Sequence, residues 1–243
     1  MRSKASREEQ KQFGDNIFTT IMNYVYWFLA GSGLFIISNI LFIACMFFVL
    51  TTAALGYQID IISALILLLS AISLGPSITA LMGTMGKLVR EQDVKIFSEY
   101  IRSYKLNFKQ SISLWAIQLL VIGILVIDYK IFISTSYGRF LIPAVFIIIF
   151  LLVNMYIYMF SLMSRFFYKS RDLIKISFFY TISKVKNTAI NSVIVIVATI
   201  LIFQYSNIVL FFIPAVMIYG IMFNQKSLFE SIENKIDEKK STF

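Results

Sequence analysis

The stretch that decides the fold runs from Ser73 to Ser111, S-L-G-P-S-I-T-A-L-M-G-T-M-G-K-L-V-R-E-Q-D-V-K-I-F-S-E-Y-I-R-S-Y-K-L-N-F-K-Q-S. It starts inside an apolar run, interrupts it with Gly75-Pro76, crosses a basic boundary at Lys87 and Arg90, and continues as an amphipathic segment. Pro76 has no N–H to donate and crowds the carbonyl of Ile72, so a helix passing through must bend or unwind there. The next apolar run then begins. The expectation is an elbow joining two membrane-crossing helices.

Composition points the same way. The chain has 243 residues, 58% hydrophobic and 14% charged, with a mean hydropathy of +0.79. A soluble domain carries roughly a quarter charged residues, so the missing charge is lipid-facing surface rather than a larger core. The net charge of +9 reflects basic residues in the polar connections and is not a nucleic-acid signature. The single cysteine, Cys45, lies mid-run and excludes an internal disulfide framework. Residues 1–16 are polar with both charges, and the apolar region after them is too long for a signal peptide.

Around the elbow the chain reads as an all-α, polytopic transmembrane bundle. Residues 1–16 form a cytosolic lead, 17–223 one membrane domain and 224–243 a cytosolic polar tail. Asn16 to Ala30 is interrupted by Thr19, Thr20 and Asn23 and ends in Tyr24, Tyr26 and Trp27. It reads as an N-terminal interfacial helix stopped by Gly31-Ser32-Gly33, with one tilted helix through the glycines as the other reading. Six spans follow at about 34–55, 61–89, 111–127, 139–163, 188–203 and 208–223. Two amphipathic cytoplasmic elbows separate the second span from the third and the fourth from the fifth.

Basic residues set the expected orientation. Four fall in the lead, six in the first elbow, six in the second and four in the tail, leaving only Lys130 and Arg139 opposite. Six spans gather the basic regions on one face, and the positive-inside rule makes it cytoplasmic, with both termini. A faint repeat supports a duplicated unit: Lys95, Ile96, Tyr100, Ser103 and Asn107 match Lys175, Ile176, Tyr180, Ser183 and Asn187.

Candidate sites are few. In the first elbow Val94, Phe97, Ile101, Tyr104 and Phe108 recur at three- and four-residue steps, opposite Lys95, Glu99, Arg102 and Lys109. Such a face rests on anionic headgroups or docks a partner. Gly75, Pro76 and Thr79 mark a helix break that either coordinates a ligand or sets packing. Apart from Lys87 and Arg139 at span ends, no Asp, Glu, Lys, Arg or His lies within the spans, which disfavours an ion-coupled transporter. The neutral amides Asn39, Gln118, Asn154 and Asn191 remain, and their ordinary role is hydrogen bonding between helices.

Enzyme motifs fail. There is no histidine, which removes the commonest general base and zinc ligand. The G-T-M-G-K at Gly83–Lys87 lacks the P-loop glycine at Leu81 and the hydroxyl at Leu88. Gly31-x-Gly33 has Ile36 where a third glycine belongs. The expectation is a non-catalytic protein with no cofactor and no metal.

Taken in order, an apolar span with embedded Asn39, then S-L-G-P-S-I-T-A-L, then N-x-F-K-Q-S after Phe97 resembles the YesL family of small bacterial membrane proteins. The residues carrying the likeness are Gly75, Pro76, Thr79, Ala80, Phe97, Asn107, Phe108, Lys109, Gln110 and Ser111. The later M-F-S-L-M-S-R-F (Met159–Phe166) and the second elbow to Asn191 are similar to its C-terminal half. The third span is short for the family, and no Trp follows Asn39. The resemblance implies a Gram-positive plasma-membrane protein found beside carbohydrate-uptake loci, and no known activity. It suggests an accessory subunit that stabilises the permease of a carbohydrate ABC importer. A small sugar transporter or pore is the alternative.

Overall fold

The computed structural model describes residues 17–58, 60–135, 138–204 and 211–241. The first helix, α1 (Ile17–Ser38), is followed after one residue by α2 (Ile40–Ala54). Next come α3 (Ile61–Glu91), the long α4 (Ile96–Ser134) and α5 (Ile142–Arg165). The chain ends with α6 (Ser170–Ser183), α7 (Val185–Gln204), α8 (Ile213–Asn224) and α9 (Lys226–Ser241). Among the described residues, five helical stretches are long and apolar enough to cross a membrane: Phe18–Ser38, Ile61–Glu91, Ile96–Ser134, Ile142–Arg165 and Val185–Ile202. The apolar α2 and α8 are shorter, with 15 and 12 residues. Lipid-facing surface explains the many outward apolar side chains, such as Phe47 at 70% exposure and no buried residue anywhere on α2.

Helix ends show why the expected bounds shift. Gly31-Ser32-Gly33 does not end a helix; α1 runs through it, so the interfacial helix over 17–30 and a first span over 34–55 are both replaced. A Cβ on Gly31 would lie 2.8 Å from Met85 Cε and 3.5 Å from Ala215 Cβ, so this glycine permits close approach. Ser32 Oγ accepts from Ala215 N at 3.0 Å, satisfying a free N–H in the first turn of α8. The break falls instead at Asn39 (φ −116°, ψ 18°).

The first elbow is likewise not a separate surface helix. Its amphipathic segment and the expected third span form one 39-residue helix, α4, roughly 58 Å long at ~1.5 Å per residue. That is nearly twice a ~30 Å hydrocarbon core. The turn before it is made by Gln92 in the left-handed region (φ 56°), whose N–H closes α3 on Leu88 O. We call this the elbow end; the connection at 55–60, where Asp60 caps α3 through Ser63 N at 3.2 Å, marks the far end. The tail is also ordered: α9 buries Leu228, Phe229 and Ile232. The expected sixth span shrinks to α8, while the Gln204–Asn207 connection lies largely outside the described residues.

The core is concentrated at the elbow end and mid-depth. Ala80, Leu81, Met85 and Leu88 of α3 meet Tyr158, Met159 and Leu162 of α5 and Ala215 and Ile221 of α8. Contact between α3 and α4 depends on small residues. A Cβ on Gly75 would sit 2.6 Å from Trp115 Cβ and 3.0 Å from Ser111 O, and one on Gly83 would collide with Ser103. The stripe of Gly75, Thr79 and Gly83 thus receives Ser103, Asn107 and Ser111, all buried. Gly75→Ala should lower the thermal stability of the detergent-solubilised protein by about 1–3 kcal/mol through overpacking. Gly33→Ala has nothing within 4 Å of its added methyl. It should be neutral or stabilising by up to ~1 kcal/mol, through helix propensity. Equal effects of the two substitutions would contradict this packing.

Candidate functional site

Asn39 is the centre of the buried polar arrangement. Its Nδ2 donates to Phe35 O at 2.8 Å and to Ser77 Oγ at 2.7 Å; its Oδ1 accepts from Ser73 Oγ at 2.9 Å and Ser77 Oγ at 3.1 Å. A buried amide has four bonding valences, and here the helix break and two serines one turn apart on α3 meet them. Asn154 repeats the pattern. Its Nδ2 donates to Phe150 O at 3.0 Å and Ser192 Oγ at 2.9 Å, and Ser192 Oγ donates back to Oδ1 at 3.2 Å. Both pairs have the same 38-residue separation. They sit on chain segments of opposite direction, α1–α2 with α3 and then α5 with α7.

A chain of contacts links the two pairs across the bundle. Next to Ser73, the carbonyl of Ala71 accepts the Trp115 indole N–H at 2.8 Å. Beside Trp115, Leu114 O accepts the Tyr156 hydroxyl at 3.3 Å, two residues from Asn154. This also settles the geometry of the Gly75-Pro76 break. The helix tightens to a 3₁₀ turn over Ala71–Ser73, Pro76 lies in the first turn of the following helix, and Thr79 Oγ1 bonds Gly75 O at 2.9 Å. Gly75, Pro76 and Thr79 are all buried, and Gly75 lies against Ser111 and Trp115 of α4.

The other two expected amides differ. Asn191 Oδ1 accepts from Asn224 Nδ2 at 2.8 Å, while Asn187 and Asn224 exchange amide-to-backbone bonds at 2.8 and 2.9 Å, tying α7 to α8. Asn191 Nδ2 has no partner among the described residues. Gln118 is buried on α4 with its Oε1 unpartnered.

The five elbow residues do not share one outward face. Phe97, Ile101 and Phe108 are exposed, Tyr104 is half-buried between Tyr100 and Phe108, and Val94 is buried before α4 begins. The inward face of α4 is mixed here, with Ile96, Tyr100, Ser103 and Asn107 buried and Lys95, Arg102 and Lys109 exposed. Glu99 also turns inward and is paired with Lys87 Nζ at 3.2 Å and with Arg102. A second ion pair escaped the sequence altogether. Arg165, 9% exposed in its side chain, forms a two-pronged pair with Glu233 of α9 at 2.8 and 2.7 Å and lies over the Phe229 ring at 5.1 Å. Serines 70, 73 and 77, spaced along one helical face of an otherwise apolar run, were the readable signal for Asn39's partners; nothing in the spacing of Arg165 and Glu233 announced theirs.

Among the described residues, no three His, Cys, Asp or Glu side chains come together that could hold a metal ion.

Residues 20–129 match the family described as "Protein of unknown function, DUF624", from α1 into the far half of α4. The later Met159–Asn191 stretch lies outside the matched residues. No curated protein and no solved structure was found to match.

Asn39→Ala and Ser77→Ala should each destabilise the solubilised protein. Their combined effect should fall short of the sum, with a coupling of roughly 0.5–1.5 kcal/mol. The Asn154→Ala and Ser192→Ala pair should give a coupling of the same sign and similar size. Additivity in either cycle would show that the bond contributes nothing of its own.

Proposed function

We propose that the chain is a non-catalytic membrane subunit that binds and stabilises a second membrane protein. In keeping with the resemblance described above, the proposed partner is the permease of a carbohydrate ABC importer. One observation supports the docking role. At the elbow end α4 and α6 turn small polar residues inward, Ser103 and Asn107 on α4 and Ser177 and Thr181 on α6. Aromatic side chains are left outward, Phe97 on α4 and Phe178 and Phe179 on α6. A carboxylate placed at Phe97 would be desolvated without a partner charge in any protein interface, at roughly a few kcal/mol. Phe97→Glu should therefore lower recovery of the partner by tenfold or more in native co-purification, with expression and membrane insertion unchanged. Full recovery by well-expressed Phe97→Glu would remove the docking role from this face.

The proposal places both termini in the cytoplasm, on the strength of the basic residues gathered at the elbow end and in the terminal segments. On a Cys45-free background, Gly56→Cys should react with a membrane-impermeant thiol reagent in intact cells and Ser98→Cys should not. The reverse pattern would invert the orientation.

A second reading, a small sugar transporter, has one observation in its favour. The repeated amide–hydroxyl unit in oppositely directed segments is the construction found in transporters made of inverted repeats. Purified protein reconstituted alone in liposomes should then carry a labelled sugar; absence of flux across mono- and oligosaccharides would sink this reading.

A further inference from the structure

The last turn of α8 is clamped, and the helix after it is held differently. Three hydrogen bonds, at 2.8, 2.9 and 2.8 Å, join Asn224 to Asn187 and Asn191 of α7. Gln225 alone separates α8 from α9. Helical hydrogen bonding runs straight through it, from Gln225 N–H to Ile221 O and from Phe229 N–H to Gln225 O, both at 3.1 Å. Its dihedrals (φ −91°, ψ 0°) are each within about 45° of helical values, so a single residue makes the bend. We infer that α9 is a hinged strap: it swings as one helix about Gln225, and the pair of Arg165 with Glu233 holds it closed.

The closed strap has the features of a contact that is made and unmade. Arg165 is the inner member of the pair, 9% exposed in its side chain, and Glu233 the outer one at 43%, so water reaches the carboxylate first. Both bonds, at 2.8 and 2.7 Å, cross from α5 to α9, and Arg165 also covers the Phe229 ring at 5.1 Å. Leu228, Phe229 and Ile232 fill the apolar seat, and the cost of exposing them keeps the open state a minor one. Gln225 pulls the other way. Its side chain is fully buried with Oε1 accepting from Ser161 Oγ at 2.5 Å, yet its Nε2 has no partner among the described residues. An unmet buried donor raises the free energy of the closed state, and lifting α9 opens that donor to water. The two-pronged pair, with its aromatic neighbour, opposes this. Swung out, α9 extends α8 into a single helix from Ile213 to Ser241. It then uncovers Arg165 and the Phe166 ring, which Phe229 meets edge-on at 6.0 Å in the closed state. The strap therefore controls access to a buried cation at the elbow end. This device is separate from the docking role proposed above and holds whether or not a partner binds.

The test uses the full chain in detergent on a Cys45-free background, with single substitutions Ile232→Cys on the strap and Ile221→Cys on α8, both at buried positions. A water-soluble thiol reagent should modify Ile232→Cys faster than Ile221→Cys. Glu233→Gln and Arg165→Gln should each speed modification of Ile232→Cys by roughly tenfold or more and leave Ile221→Cys unchanged. These two substitutions change the local charge in opposite directions, so a rise in both reports opening and not an altered thiol reactivity. Spin labels at Asn234 and Lys186, exposed on α9 and α7, follow the motion itself. They should show one distance with the pair intact and a second, narrow one in Glu233→Gln. Equal acceleration at both cysteines would mean loosening of the whole bundle, and a broad second distribution would mean fraying of α9. Either result, or no acceleration at all, overturns the inference.

Discussion

Everything in this bundle depends on one constraint: inside a hydrocarbon layer a polar group must find its partner within the protein, because no water will serve. Asn39 meets that constraint at the break between α1 and α2, using Ser73, Ser77 and the carbonyl of Phe35. The break supplies the free carbonyl and the amide consumes it. Trp115 meets the same constraint through the Ala71 carbonyl, which in the 3₁₀ turn of α3 also accepts from Leu74 N–H. Asn154 and Ser192 apply it a third time. Satisfied amides of this kind contribute modestly to stability one by one, averaging well under 1 kcal/mol in membrane proteins. Their larger effect is on register, since sliding a helix by one residue would strand several of them at once.

The second determinant is the close approach of α3 and α4. Gly75 and Gly83 bring the backbones together, with Ser111 O and Trp115 Cβ against Gly75 and Ser103 against Gly83. That contact fixes the rotation of α4, which in turn decides that Glu99 points inward and Phe97 outward. In a soluble amphipathic helix the apolar face would seek the core and the polar face the solvent. Here packing against glycines wins, and lipid makes the outward aromatic side chains inexpensive. Sequence periodicity predicts two faces, and burial cuts across both: Val94 of the apolar set and Glu99 of the polar set are buried, while Phe97, Lys95, Arg102 and Lys109 are exposed.

Much of the architecture was nonetheless legible. Long apolar runs, the basic connections and the Gly75-Pro76 break each have a direct physical meaning, and the chain is helical with five stretches among the described residues long and apolar enough to cross a membrane, where six spans are expected. The misreadings share a cause. Gly31 and Gly33 were read as a helix stop, but glycine also permits close approach, and Met85 and Ala215 are what Gly31 approaches. Ser111 looked like the start of a span because charge ends near Lys109, although a helix continues through a change of solvent without any break in its hydrogen bonds. Composition marks residues 224–243 as a polar tail, yet Leu228, Phe229 and Ile232 form a short buried stripe in it. Partners distant in sequence, such as Arg165 with Glu233, depend on which helix ends the fold brings together, and no local pattern encodes that.

The two ends of the molecule are therefore built to different standards. At the far end α2 buries nothing and the first ten residues of α3 bury only Ser70, so contact with lipid replaces contact with protein. At the elbow end the helices carry ion pairs, aromatic contacts and a docked terminal helix, in a region where charges stay partly hydrated. Pairing Glu99 with Lys87 and Arg102 avoids the penalty of a lone buried carboxylate, and Arg165 gains Glu233 and the Phe229 face in the same way. Local openings follow low contact density. The far-end hairpin is accordingly the part free to adjust to its surroundings, and the elbow end is the rigid platform on which α4 and α6 hold their aromatic residues outward.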